Sequence, residues 1–114
     1  VQSVARIYGY YKSHGINTEI MGASFRNSGQ ILALAGCDLL TISPDLLAEL
    51  DSTPGTVQAR LTPDFARAQA TPALALNESS FRFMMNEDAM AQDKLAEGIR
   101  VFVSDAKKLD ALLV

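Results

Sequence analysis

One cysteine, one histidine, no basic tract and no long apolar run are the shortages that first narrow what this chain can be. Cys37 alone excludes an internal disulfide framework, and with His14 as the single histidine there are too few soft ligands for a structural zinc or a His-based metal site. A reducing cytoplasm is the expected compartment. The longest uncharged stretch, residues 27–37, is eleven residues with two glycines. A bilayer span needs about 20 apolar residues, so no membrane association is expected, and no signal peptide is read. Ten Lys plus Arg against thirteen Asp plus Glu give a formal net charge of −3 and a pI near 5.0, which makes nucleic acid an unexpected partner. Seven glycines and four prolines are too few for a collagen-like or low-complexity chain, and 48% hydrophobic residues are too many for a disordered one.

What is present is one core's worth of apolar residues in 114 residues and 12.3 kDa, too little for two domains. The whole, residues 1–114, reads as a single segment in three parts. Residues 1–50 hold a helix and two strand-helix units, 51–77 form a loop-rich connection, and 78–114 form the C-terminal helices. Val1, Val4, Ala5, Tyr8 and Tyr11 recur at helical spacing up to Lys12, His14 and Gly15, a basic last turn with a glycine stop. No residue caps that helix in front, and with no initiator Met the chain reads as cut from something longer.

Residues 16–23, INTEIMGA, are β-branched at Ile16, Thr18 and Ile20 and predict a strand that opens into a loop at Ser24. Ser28 is the expected cap of a second, buried helix over 30–35, stopped by Gly36. Residues 39–43, LLTIS, predict a strand buried on both faces, and Ser43–Pro44 opens a helix over 45–50. Two strand-helix units imply a parallel sheet covered by helices, with strands short enough to suit a barrel. Four breakers, Pro54, Gly55, Pro63 and Pro72, loosen the next stretch into loop with a short helix or two. Asn77 caps a short helix over 78–85. A long helix from about Asp88 then carries Leu95, Ile99, Phe102, Ala106, Leu109 and Leu113 as an amphipathic stripe. That stripe is expected to dock on the barrel's own outer helices, the alternative being a second subunit.

Residues 21–27, MGASFRN, sit between the first strand and the next helix. A strand ending in small residues lets a ligand approach, and the helix beyond it presents unpaired N–H groups and a partial positive charge. Arg26 adds a planar fork suited to phosphate oxygens and Ser24 a hydroxyl, with Gly22 and Ala23 expected to keep the approach open. The bland alternative is that Ser24 caps a turn and Arg26 lies idle on the surface.

The run MGASFRNSGQILALAGCDLLTISPDLLAEL resembles the seventh and eighth strand-helix units of the transaldolase family. IYGYYKSHG resembles the helix before them, and NEDAMAQDKLAEGIRVF the family's C-terminal helix. The resemblance implies an α/β fold, the C-terminal part of a (β/α)₈ TIM barrel. It also implies an enzyme that transfers a dihydroxyacetone unit between sugar phosphates through a lysine Schiff base. The exchange runs from sedoheptulose 7-phosphate and glyceraldehyde 3-phosphate to erythrose 4-phosphate and fructose 6-phosphate. The family's phosphate-binding Ser and Arg match Ser24 and Arg26, and Asn27 beside them is a further candidate. No cofactor and no metal are implied. The expected partners are the sugar-phosphate substrate, the remainder of the barrel and a second copy of the chain. The family's Schiff-base lysine, first-strand aspartate and third-strand glutamate lie upstream of the matched motifs. A whole (β/α)₈ barrel takes about 250 residues, so this chain is expected to be a piece that is inactive alone.

The remaining candidates read as structural. Lys12, Lys94, Lys107 and Lys108 all fall on helices, away from the apolar pocket or cationic neighbour that a nucleophilic lysine needs. His14 suits a helix end and Cys37 suits packing. Asp38 precedes its strand and so lies at the face of a barrel that serves stability. Asp93, Glu97, Asp105 and Asp110 read as a solvated helix face, and Phe81, Met84 and Met85 as core or interface filler. The other reading of the whole is a non-catalytic phosphate-binding or assembly protein derived from the same barrel. A class I aldolase acting on related phosphates differs from transaldolase only in its acceptor chemistry.

Overall fold

The computed structural model describes residues 1–113, in the order α1 (Gln2–Ser13), β1 (Met21–Gly22), α2 (Ser28–Ala33), β2 (Leu39–Leu40), α3 (Pro44–Ser52), α4 (Pro63–Ala68), α5 (Glu78–Glu87) and α6 (Ala89–Leu112). These fall into two compact units, Val1–Ala73 and the residues from Leu74 onward, and the division lies inside the expected 51–77 connection.

In the first unit β1 and β2 pair in parallel, Met21 opposite Leu39 and Gly22 opposite Leu40. Leu39 N–H donates to Ile20 C=O at 3.1 Å and Thr41 N–H to Gly22 C=O at 2.8 Å. Both strands are much shorter than the 16–23 and 39–43 expected from β-propensity. A strand exists only where a neighbour completes its ladder, and here each has one neighbour. For the same reason β2 is not buried on both faces: Leu39 is 40% exposed. The core of this unit is Tyr8, Ile20, Leu34, Leu61 and Ala66, with Val4, Tyr11, Phe25, Cys37, Leu40 and Phe65 packed around it. It therefore draws on α1, the strand edge, the residues after α2, and α4.

Local chemistry sets the helix ends. α1 has no side-chain cap at Val1 and closes on Lys12 and His14 before Gly15, whose φ is +67°. α2 is capped by Asn27, not by Ser28. Asn27 lies in extended backbone and accepts from Gln30 N–H at 3.0 Å, so the helix starts one residue earlier than the Ser28 cap implies and ends at Ala33. Adjacent Asn and Ser compete for the same turn, and Asn is at least as good a cap. Of its expected buried face, Ile31 and the following Leu34 are buried while Leu32 is 37% exposed. Gly36 has φ +100°, and a Cβ there would run into the carbonyl of Leu61. Arg60 and Leu61 N–H both reach Ala35 C=O at 2.7 and 2.9 Å, so the Pro-rich connection is bound closely to the end of α2. Ser43 and Thr62 cap α3 and α4, each with proline in the first turn.

In the second unit Asn77 and Ser80 form a reciprocal capping box on α5, and Asp88 caps α6. The α6 stripe lies open: Leu95 is 54%, Ile99 55%, Phe102 75% and Leu109 57% exposed. No helix among them is long and apolar enough to cross a membrane.

Candidate functional site

The loop between β1 and α2 carries Ser24, Phe25, Arg26 and Asn27, and three of these face solvent while Phe25 turns inward onto the core. Beneath it lies Gly22. The expectation that Gly22 keeps a ligand's approach open is corrected: the space a Cβ would take is held by the side chains of Leu40 (2.9 Å), Leu34 and Phe25 (both 3.1 Å). Gly22 is there so that the core can close under the loop, and Phe25 anchors the loop from the same side.

Ser24 is the one non-glycine described residue at positive φ, +59°. Left-handed backbone at a serine costs of order 1–3 kcal/mol and persists only where surroundings impose it, commonly at functional loops. Here it turns the chain so that Ser24 and Arg26 stay exposed while Phe25 between them packs inward. Arg26 N–H donates to Gln30 Oε1 at 2.8 Å, while no carboxylate of the described residues pairs with its guanidinium. A charged fork left without a partner is available to an external anion. Asn27 spends its Oδ1 on the Gln30 N–H. Ser28 Oγ donates to Glu49 Oε1 at 2.6 Å, tying the start of α2 to α3. Because α2 has only six residues, few peptides align behind its N-terminus, and the helix adds little positive charge at this loop. Gln30 closes this turn from inside α2, and the Asn-x-x-Gln spacing of a capping box is visible in the residues themselves.

The other titratable groups are occupied structurally. Lys12 Nζ lies 2.8 Å from Asp38 Oδ2 and 5.7 Å from the centroid of the Tyr8 ring. The hydrogen bond to Asp38 pushes Lys12 above its ordinary 10.5, the opposite of what a Schiff-base nucleophile requires. Asp38 is held below its ordinary 3.8 by the hydrogen bond from Lys12 and then by that from Ile20 N–H, itself 2.8 Å long. Lys94 and Lys108 are exposed on α6, paired with Glu97 and Asp105. His14 Nε2 lies 2.8 Å from Thr71 C=O; since a carbonyl only accepts, that nitrogen carries the proton. The Tyr10 ring stands 4.5 Å from the imidazole. Cys37 Sγ donates to Ile20 C=O at 3.1 Å. No three His, Cys, Asp or Glu side chains among the described residues gather as a metal would require.

The comparisons agree with the motif. Residues 1–113 match the transaldolase/fructose-6-phosphate aldolase family over nearly the whole chain. A curated relative named transaldolase, from Methylibium petroleiphilum, is 60% identical over 113 residues, which is 99% of this chain and 36% of that protein. The chain thus spans about a third of the length of the curated relative it matches. With a match of this extent, the chain belongs to the transaldolase/fructose-6-phosphate aldolase family.

Proposed function

We propose that these residues supply the phosphate-binding part of a cytoplasmic transaldolase, the strand-seven and strand-eight region of its barrel, and leave the covalent chemistry to residues outside the 114. The observation that carries this is the β1–α2 loop, with Ser24 held at left-handed φ and Arg26 exposed without a carboxylate partner among the described residues. In a (β/α)₈ barrel the loops after the seventh and eighth strands are the usual phosphate cradle.

In the proposed reaction a lysine amine condenses with the ketose carbonyl and water leaves. The C3–C4 bond breaks to release an aldose phosphate, and the retained dihydroxyacetone unit adds to a second aldose phosphate before hydrolysis frees the product. Arg26 holds two phosphate oxygens and the Ser24 hydroxyl donates to another. Both act remotely from the reacting carbons, so their binding energy serves to orient the sugar against the lysine. Asn27 offers its Nδ2 hydrogens as a lesser contact. Lys12 is paired and raised in pKa, and Lys94, Lys107 and Lys108 are exposed on α6, which supports placing the nucleophile elsewhere. On this proposal the open stripe of α6 is covered by the rest of the barrel or by a second copy.

Borohydride trapping of the full-length enzyme with fructose 6-phosphate, followed by peptide mapping, tests the assignment. The expected adduct lies on a lysine outside these residues. An adduct on Lys12, Lys94, Lys107 or Lys108 overturns the division of labour, and no adduct anywhere overturns Schiff-base chemistry. A non-catalytic phosphate-binding or assembly role is the second reading, favoured by the exposed α6 stripe, and the same absence of any adduct would support it.

A further inference from the structure

We infer that Gln30 is a positioning residue for phosphate recognition, its side-chain carbonyl fixing the backbone from which Arg26 projects. The inference rests on the phosphate-anchoring role proposed for Arg26. Gln30 Oε1 accepts from Arg26 N–H at 2.8 Å, and Gln30 N–H donates to Asn27 Oδ1 at 3.0 Å. Two consecutive loop residues are thereby tied to one glutamine in the first turn of α2.

The capping box on α5 shows what is unusual here. There Ser80 Oγ accepts from the N–H of the cap residue Asn77 itself, at 3.0 Å, and Ser80 N–H donates back to Asn77 Oδ1 at 2.9 Å. At α2 the longer side chain of Gln30 passes the cap residue and closes on the residue before it, Arg26. Capping alone needs only the Asn27 contact; the reach to Arg26 holds a loop residue that the helix does not own. Ordering a loop around a ligand costs backbone entropy, and fixing the backbone of Arg26 beforehand lowers that cost.

The test uses Gln30→Ala, Gln30→Met, Gln30→Glu and Arg26→Ala in the full-length enzyme, with fructose 6-phosphate and unphosphorylated fructose as alternative donors. Gln30→Ala is expected to raise KM for fructose 6-phosphate about three- to tenfold, the worth of one lost hydrogen bond, with kcat within about twofold and KM for fructose unchanged. Gln30→Met, which keeps the length and loses the acceptor, behaves alike and serves if the alanine variant does not fold. Gln30→Glu keeps an acceptor oxygen and recovers most of the loss. If Arg26→Ala raises KM for the phosphorylated donor and the Gln30 variants do not, the positioning role is wrong and the phosphate site stands. Equal effects on both donors reduce Gln30 to a structural cap and overturn the inference. If Arg26→Ala itself leaves KM unchanged, the underlying phosphate assignment is what fails.

Discussion

Asp38 and Lys12 make the one ion pair among the described residues that joins parts distant in sequence, the last turn of α1 and the residue before β2. Its pH signature follows from the directions of the two shifts. Asp38 is lowered in the fold, so its contribution is present above the ordinary 3.8 and is lost as pH falls through the lower folded value. Lys12 is raised, so its contribution is complete below the ordinary 10.5 and is lost as pH rises through the higher folded value. Asp38→Asn removes the charge and keeps an acceptor for Ile20 N–H. Its urea midpoint is expected to fall below the parent's by a constant amount between about pH 5 and 9, with the gap closing in acid below the range where carboxylates ionise. A gap independent of pH down to strong acid would assign the loss to packing instead of charge. The position of Asp38 ahead of its strand is readable in the sequence; its pairing with Lys12 is not, because 25 residues lie between them.

At the scale of elements, caps and stops are local events, and these are what the sequence reveals most plainly. Asn77, Ser43–Pro44 and Gly15 each act within a few residues and do in the structure what their residue types suggest, whereas α2 ends at Ala33, before the Gly36 expected to stop it, and Gly36 serves the close approach of the Leu61 carbonyl. Asn77→Ala is expected to cost about 1 kcal/mol and to release hydrogen-exchange protection in the first turn of α5 before the rest of the helix. Uniform loss along α5 and α6 would instead mean that the cap holds the two helices as one unit. The strand limits are not legible in the same way, since pairing depends on a neighbour that periodicity does not show. Nor is the role of Gly22, for only the packed positions of Leu34, Leu40 and Phe25 reveal why a side chain is excluded there. The MGASFRN loop suggests an anion site from its residues alone, which remains a proposal, whereas the left-handed turn at Ser24 and the reach of Gln30 to Arg26 are properties of the folded backbone.

For the whole molecule, the motif order, the family match and the parallel pairing of β1 with β2 agree on an α/β member of the transaldolase/fructose-6-phosphate aldolase family. The proposal that gives this arrangement a purpose is phosphate capture by Arg26. KM for fructose 6-phosphate and for fructose, compared between the parent enzyme and Arg26→Ala, is the most direct measurement of it. Loss of a bidentate contact to an ionised phosphate costs roughly 1.5–3 kcal/mol, so KM for the phosphorylated donor should rise more than about tenfold while that for fructose holds. An unchanged KM for fructose 6-phosphate would contradict it.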